Sequence, residues 1–184
     1  MQTKKSSKAR VFFALWPEAS VQRELHTLTT KFKPQCKGRA MRADTLHMTL
    51  QFMGEVERTR LPQLIQAAGK VSVPPFGFIL NRLSFWKHNR IAYATLVAFV
   101  PALDVLVTAL KLELAAAGFQ LKNEEFVPHV TLLRNVEHVL DPQTITPIEW
   151  WADSFVLVES TVTDQGSRYQ ILHQWPLHSV ITKC

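Results

Sequence analysis

Two histidines in this chain are each followed, two positions on, by a threonine and then a leucine. They are His47 in LHMTLQF and His129 in PHVTLL, 82 residues apart. No other histidine (His26, His88, His138, His173, His178) has a threonine at that position. On a strand alternate side chains share a face, so His47, Thr49 and Gln51 point one way and Leu46, Met48 and Leu50 the other. In the second copy His129 and Thr131 point together, with Val130 and Leu132 behind. Two such Cα atoms lie about 6.5–7 Å apart, so both side chains can converge on one small polar group. A threonine hydroxyl donates to an anionic oxygen, and an imidazole takes or gives a proton near neutral pH. Two of these strands side by side would surround a tetrahedral phosphate. One imidazole would take a proton from an attacking water while the other gives one to the leaving oxygen. Each such transfer contributes roughly 10²–10⁴-fold to a rate. A histidine on an apolar strand also serves as a hydrogen-bonded structural residue, so the repetition carries the chemical reading.

Other chemistries lack their residues. There is no HExxH and no Cys/His pair set, so no metal is expected. A GxSxG nucleophile turn and a GxxxxGK[ST] loop are both absent, and with six glycines in all there is no glycine-rich loop for a nucleotide cofactor. No cofactor is expected.

The two motifs sit at matching places in a repeated plan. RVFFALW (10–16) reads as a strand. EASVQRELHTLTTKF (18–32) follows as a helix with Val21, Leu25, Leu28 and Phe32 on one face. A polar link, KPQCKGRAMRAD, leads into the His47 strand. In the second half IAYATLV reads as a strand, and ALDVLVTALKLELAAAG as a helix with Leu103, Leu106, Val107, Leu110 and Leu114 on one face and Gly118 as its stop. The link QLKNEEF leads into the His129 strand. Pro17 lies 30 residues before His47 and Pro101 lies 28 before His129, the spacing of a diverged internal duplication. Hairpins are expected from FGFILNRLSFW with IAYATLV, and from SFVLVEST with RYQILHQW. A helix is expected at RLPQLIQAAGKV (60–71). The sum is an α+β fold with mainly antiparallel sheets and helices outside.

The totals frame this plan. Of 184 residues, 47% are apolar and 20% charged, which suits an ordinary globular chain. Residues 1–9 read as a flexible basic tail and 10–184 as a single domain. Lys4, Lys5, Lys8 and Arg10 are counted in the tail's charge. A net charge of +6 attracts polyanions such as nucleic acid without identifying one. Two cysteines and no CxxC point to a reducing compartment, hence a cytoplasmic protein. VFFALW is too short for a signal core, and no run approaches a membrane span.

HMTLQFMGEV and FVPHVTLLR resemble the two signatures of the two-histidine phosphoesterase superfamily. More closely, the chain resembles the bacterial RNA 2',3'-cyclic phosphodiesterases, also called 2'-5' RNA ligases of the LigT or ThpR type. RVFFALWPEASV resembles that family's opening strand, and SFVLVESTVTDQGSRYQILHQWPL its closing hairpin. The resemblance implies a bilobal fold of two pseudo-symmetric halves around a central cleft. It implies hydrolysis of RNA 2',3'-cyclic phosphate ends to 2'-phosphomonoesters, with 2'-5' ligation as the reverse reaction. His47 would be the proton donor and His129 the proton acceptor, while Thr49, Thr131 and Arg134 would hold the phosphate. Strict alternation turns Arg134 away from His129 and Thr131 unless the strand ends or bulges at Leu133. Trp86 and Tyr93 would stack on a base or pack within the fold. Expected partners are RNA ends, tRNA fragments among them, for a monomer that makes no membrane contact. An RNA-end binding module without turnover, and an enzyme for another small cyclic phosphate, remain as alternatives.

Overall fold

The structure, a computed structural model, describes residues 7–122, 125–163 and 166–178. The first strand, β1, runs Lys8–Leu15. Val11, Phe13 and Leu15 enter the main core, while Phe12 and Ala14 join a smaller apolar cluster with Val156 and Val158 on the opposite face. Covering both faces explains the unbroken apolar run. The strand starts two residues before the expected Arg10: Ala9 is buried and Lys8 pairs with Glu57 at 3.8 Å, so the sheet takes the last two residues of the expected tail. Residues 1–6 of that tail lie outside the described residues.

Helix α1 (Ala19–Cys36) buries the predicted Val21, Leu25, Leu28 and Phe32. It runs four residues beyond the expected end, through Pro34, and stops where Lys37 turns left-handed (φ 46°). A two-residue strand β2 (Arg39–Ala40) and a 3-10 turn (Ala43–Thr45) lead into β3 (Met48–Glu57). Helix α2 (Leu61–Ala68) precedes the hairpin of β4 (Phe76–Trp86) and β5 (Ile91–Thr95). Helix α3 (Pro101–Ala116) buries all five predicted face residues. Then come β6 (Val130–Arg134), β7 (Gln143–Ala152) and the hairpin of β8 (Ser154–Thr163) and β9 (Gly166–Pro176). Asp164 and Gln165, in the expected turn of that hairpin, lie outside the described residues.

The strand order is β7-β4-β5-β6-β3-β1-β8-β9, with β2 added beside β6, and every pairing is antiparallel. The order reads as two equivalent sets of four strands meeting at β6 and β3. One set is the continuous segment 76–152; the other combines 8–57 with 154–176. A single ladder position, Met48 opposite Val130, joins the sets. Beyond it the strands part, and β2 fills the gap along β6. The helices are exchanged. α1, from the first set, packs on β6 and β7 of the second; α3, from the second, packs on α2 and β3 of the first. All three helices share one core with the sheet, and the opposite sheet face carries the histidines.

The strand β7 has no counterpart among the sequence expectations. Pro147 lies within it and cannot donate to a ladder. It is tolerated because β7 is an edge strand that pairs with β4 alone, and the register slips between Leu80 and Arg82.

Candidate active site

Met48 and Val130, the one paired position between the halves, both point into the core and are fully buried. Their neighbours therefore point to the other face: His47, just before β3, with Thr49 on it, and His129, just before β6, with Thr131 on it. In antiparallel register Thr49 falls beside His129, and His47 beside Thr131. The four residues meet around the axis that relates the two halves.

The two imidazoles are held alike. His47 Nδ1 lies 2.7 Å from the Thr45 carbonyl, and His129 Nδ1 lies 2.7 Å from the Val127 carbonyl. A carbonyl only accepts, so each Nδ1–H donates and each Nε2 is left as the basic nitrogen. Each supporting segment is fixed in turn. Thr45 ends the 3-10 turn and its hydroxyl donates to the Arg42 carbonyl; Thr95 Oγ1 donates to the Pro128 carbonyl at 2.7 Å.

Aromatic rings set each imidazole's plane. Phe12 and Trp16 both stack on His47, with centroids at 4.8 and 5.3 Å, and Tyr169 meets it edge-on at 5.2 Å. His129 is flanked edge-on by Trp86 at 4.5 Å and Tyr93 at 5.8 Å. Trp86 and Tyr93 thus pack on the second histidine. Trp150 is in the core, and Trp151 lies exposed on the edge strand.

Arg134 faces the cleft. The pairing of β5 with β6 runs Ala92 to Leu133 and then Tyr93 to Thr131, which leaves Leu132 as a bulge. Leu132 and Leu133 are therefore both buried, and Arg134 returns to the side of Thr131. It lines a cavity of about 310 Å³ together with His47 and Thr49. The first copy bulges at the same place: Phe13 pairs with Gln51 and Ala14 with Thr49, leaving Leu50 over. Gln51 is largely buried, with its amide donating to the Phe52 carbonyl, and it lines the cavity beside Thr49 and His129. Phe52, which is 37% exposed, is the counterpart of Arg134. Arg10, counted above with the tail, lines the same cavity with its guanidinium 5.1 Å from the Phe52 ring centre. Sequence reasoning missed both.

Burial pushes the His47 pKa down to about 4, helped by the charges of His129 and Arg134 and opposed by the Thr45 carbonyl. His129 is also lowered, first by burial and then by Arg134, against the Val127 carbonyl. Both imidazoles of the unliganded site are therefore held toward the neutral form, with the Arg134 guanidinium beside them. An anion placed between them reverses the balance and draws a proton onto the pair. The π faces of Phe12 and Trp16 favour the charged ring as well. The arrangement can hold a tetrahedral anion, place a basic nitrogen on either side of it, and carry one shared proton. Among the described residues no cluster of three His, Cys, Asp or Glu side chains is arranged to hold a metal ion. No helix there is long and apolar enough to cross a membrane. Cys36 is a buried free thiol.

Known proteins share this arrangement. The model of the LigT-like phosphoesterases matches residues 15–93, which include the first motif. An RNA 2',3'-cyclic phosphodiesterase of Escherichia coli K12 is 31% identical, with 94% of this chain and 98% of that protein covered. One of Thermotoga maritima is 25% identical, with 90% and 94% covered. Among solved structures, apo LigT of E. coli superposes with a TM-score of 0.83 at 30% identity, covering 95% of this chain and all of that one. The same protein complexed with phosphate gives 0.80 at 28% identity, with the same coverage. Both halves, both motifs and the closing hairpin fall within these matches, and the chain belongs to the LigT-like phosphoesterases, within the two-histidine phosphoesterase superfamily.

Proposed function

We propose that this protein hydrolyses RNA 2',3'-cyclic phosphate ends to 2'-phosphomonoesters, with His47 as proton donor and His129 as proton acceptor. The observation that carries the reading is the matched pair of imidazoles, each with Nδ1 tied to a carbonyl and Nε2 left for chemistry. His129 Nε2 takes a proton from water as the water oxygen attacks phosphorus. The P–O3' bond breaks on the far side, and His47 gives its proton to O3'. Charge grows on the non-bridging oxygens, where Thr49, Thr131 and Arg134 stabilise it through hydrogen bonds that strengthen with that charge. The substrate supplies the condition for His47 to act as an acid, because its negative charge offsets the burial that keeps the ring neutral in the empty site.

Relatives at 31% and 25% identity are named for this reaction, which supports the substrate class. Chemistry that runs both ways through one transition state also permits 2'-5' joining of a cyclic end to a 5'-hydroxyl, unfavourable in dilute water. The reading extends to tRNA fragments with such ends and to a monomeric protein of the cytoplasm. The test is incubation with a short RNA ending in a 2',3'-cyclic phosphate, with EDTA present and ATP absent. A 2'-phosphate end that fails to form in His47→Ala and His129→Ala supports the reading. An unchanged end with RNA bound would leave a binding module.

A further inference from the structure

The site has two chambers, one beyond each histidine. The chamber beyond His129, about 220 Å³, carries mixed charge, with Lys111, Lys122 and Glu125 among its walls. The one beyond His47, about 310 Å³, is lined by Arg10, Arg39 and Arg134 and by no carboxylate. No ion pair within 4 Å joins these three arginines to a described carboxylate, whereas the neighbouring Arg42 is paired with Asp44 at 2.6 Å. Arg39 stands directly opposite Arg134 on the β2–β6 ladder. Like charges in that relation are unfavourable, and one scissile phosphate on Arg134 leaves the other guanidinium unmatched.

The fold also makes room for Arg39. Its Nη1 lies 3.3 Å from where a Cβ on Gly166 would stand, and Gly166 has φ +110°, a conformation that disfavours any side chain there. The start of β9 thus gives way to the guanidinium. Arg10 is steadied by the Phe52 ring beneath it.

We propose that Arg39 and Arg10 form a second phosphate subsite, which takes the phosphodiester on the 5' side of the cyclised nucleotide. The inference rests on the hydrolytic reading above, which fixes the polarity. If His47 protonates O3', the ribose lies on the His47 side of phosphorus, and the 5'-phosphate on that ribose enters the arginine-lined chamber. Water approaches through the other. The site is then built for the end of an RNA chain, and a lone nucleoside cyclic phosphate fills half of it.

The experiment compares adenosine 2',3'-cyclic phosphate carrying a 5'-hydroxyl with the same nucleotide carrying a 5'-(methyl phosphate), a minimal diester. The wild type is expected to favour the second in kcat/KM by about tenfold or more, the scale of one charged hydrogen bond. In Arg39→Gln the preference is expected to shrink to about twofold or less, and in Arg39→Lys much of it returns, as for a charge contact. Because each preference is a ratio within one protein, loss of folded enzyme cancels. Equal kcat/KM for the two nucleotides in the wild type, or an unchanged preference in Arg39→Gln, overturns the subsite and leaves the hydrolytic reading intact. If neither nucleotide nor an RNA oligomer is turned over, the hydrolytic reading fails and takes the subsite with it.

Discussion

Leu50 and Leu132 are equivalent residues, each three positions after its histidine and each the extra residue of a β-bulge. The two halves therefore share a backbone irregularity along with the His-x-Thr-Leu pattern. The bulge returns the fifth residue after the histidine to the cleft, and the two halves put different chemistry there: Phe52 in one, Arg134 in the other.

Arg134 is the positive member of that pair. Arg134→Ala is expected to lower kcat/KM on a cyclic-phosphate RNA by about 10–100-fold, the worth of a charged hydrogen bond lost from the transition state. Arg134→Lys should recover part of this, because a point charge replaces a planar fork. Steady-state kinetics on both variants decide; an alanine variant with wild-type kcat/KM would remove Arg134 from the site.

His47→Ala and His129→Ala are each expected to lower kcat by about 10²–10⁴-fold. Far-UV circular dichroism should be unchanged, since both rings are half-buried on the open face. The double variant should be little worse than either single one, because the two proton transfers act as one unit.

Anion binding should take up protons. Both imidazoles are held below their ordinary pKa in the empty site, and a bound anion raises them. Sulfate, which does not titrate in this range, is expected to bind more tightly as pH falls from about 7 towards 5. Calorimetry in two buffers of different ionisation enthalpy reads the proton count directly. Affinity independent of pH would mean that the anion sits away from the histidines.

Folding stability should carry the same signature with the opposite dependence. His47 has a pKa of about 4 in the folded protein, against an ordinary 6.5, so the unfolded chain binds more protons between those values. Stability is complete above about 6.5 and is lost as pH falls towards 4, by at most about 3 kcal/mol for this half-buried ring. Urea titrations across that window should show the slope, and His47→Gln should flatten it.

The ion pair between Arg58 and Glu159 ties the turn after β3 to β8. Glu159 is only 9% exposed, so Arg58→Ala strands a carboxylate with little water. A loss of about 2 kcal/mol is expected, near 4–8 °C in Tm for a chain of this size. Arg58→Ala combined with Glu159→Gln should recover part of it in a thermal melt.

What the sequence disclosed follows from what repeats. Period-two alternation placed His47, Thr49, His129 and Thr131 on one face, and helical spacing named all five buried residues of α3. Alternation could not carry past the bulges. In the second copy adjacent Leu132 and Leu133 hint at one, and Arg134 stayed undecided there. In the first copy Leu50 is followed by Gln51, which gives no hint, so Phe52 was not expected at the cleft. Arg39 sits on a strand of two residues, too short for any period. Arg10 looked like part of a basic tail because charge near a terminus carries no direction. The edge strand β7 hid behind Pro147, which a strand reading penalises.

The exchanged helices bear on how such a chain could arise. A protein made of one half alone would leave its own sheet bare while covering a neighbour's, so it would be stable only as a twofold dimer with one site on the axis. In that ancestor both histidines would be the same residue, and neither could specialise as acid or base. Fusion of two such copies into one chain would free each side of the axis to diverge. The phenylalanine at position 52 and the arginine at position 134, equivalent in place and different in chemistry, show what that freedom allows.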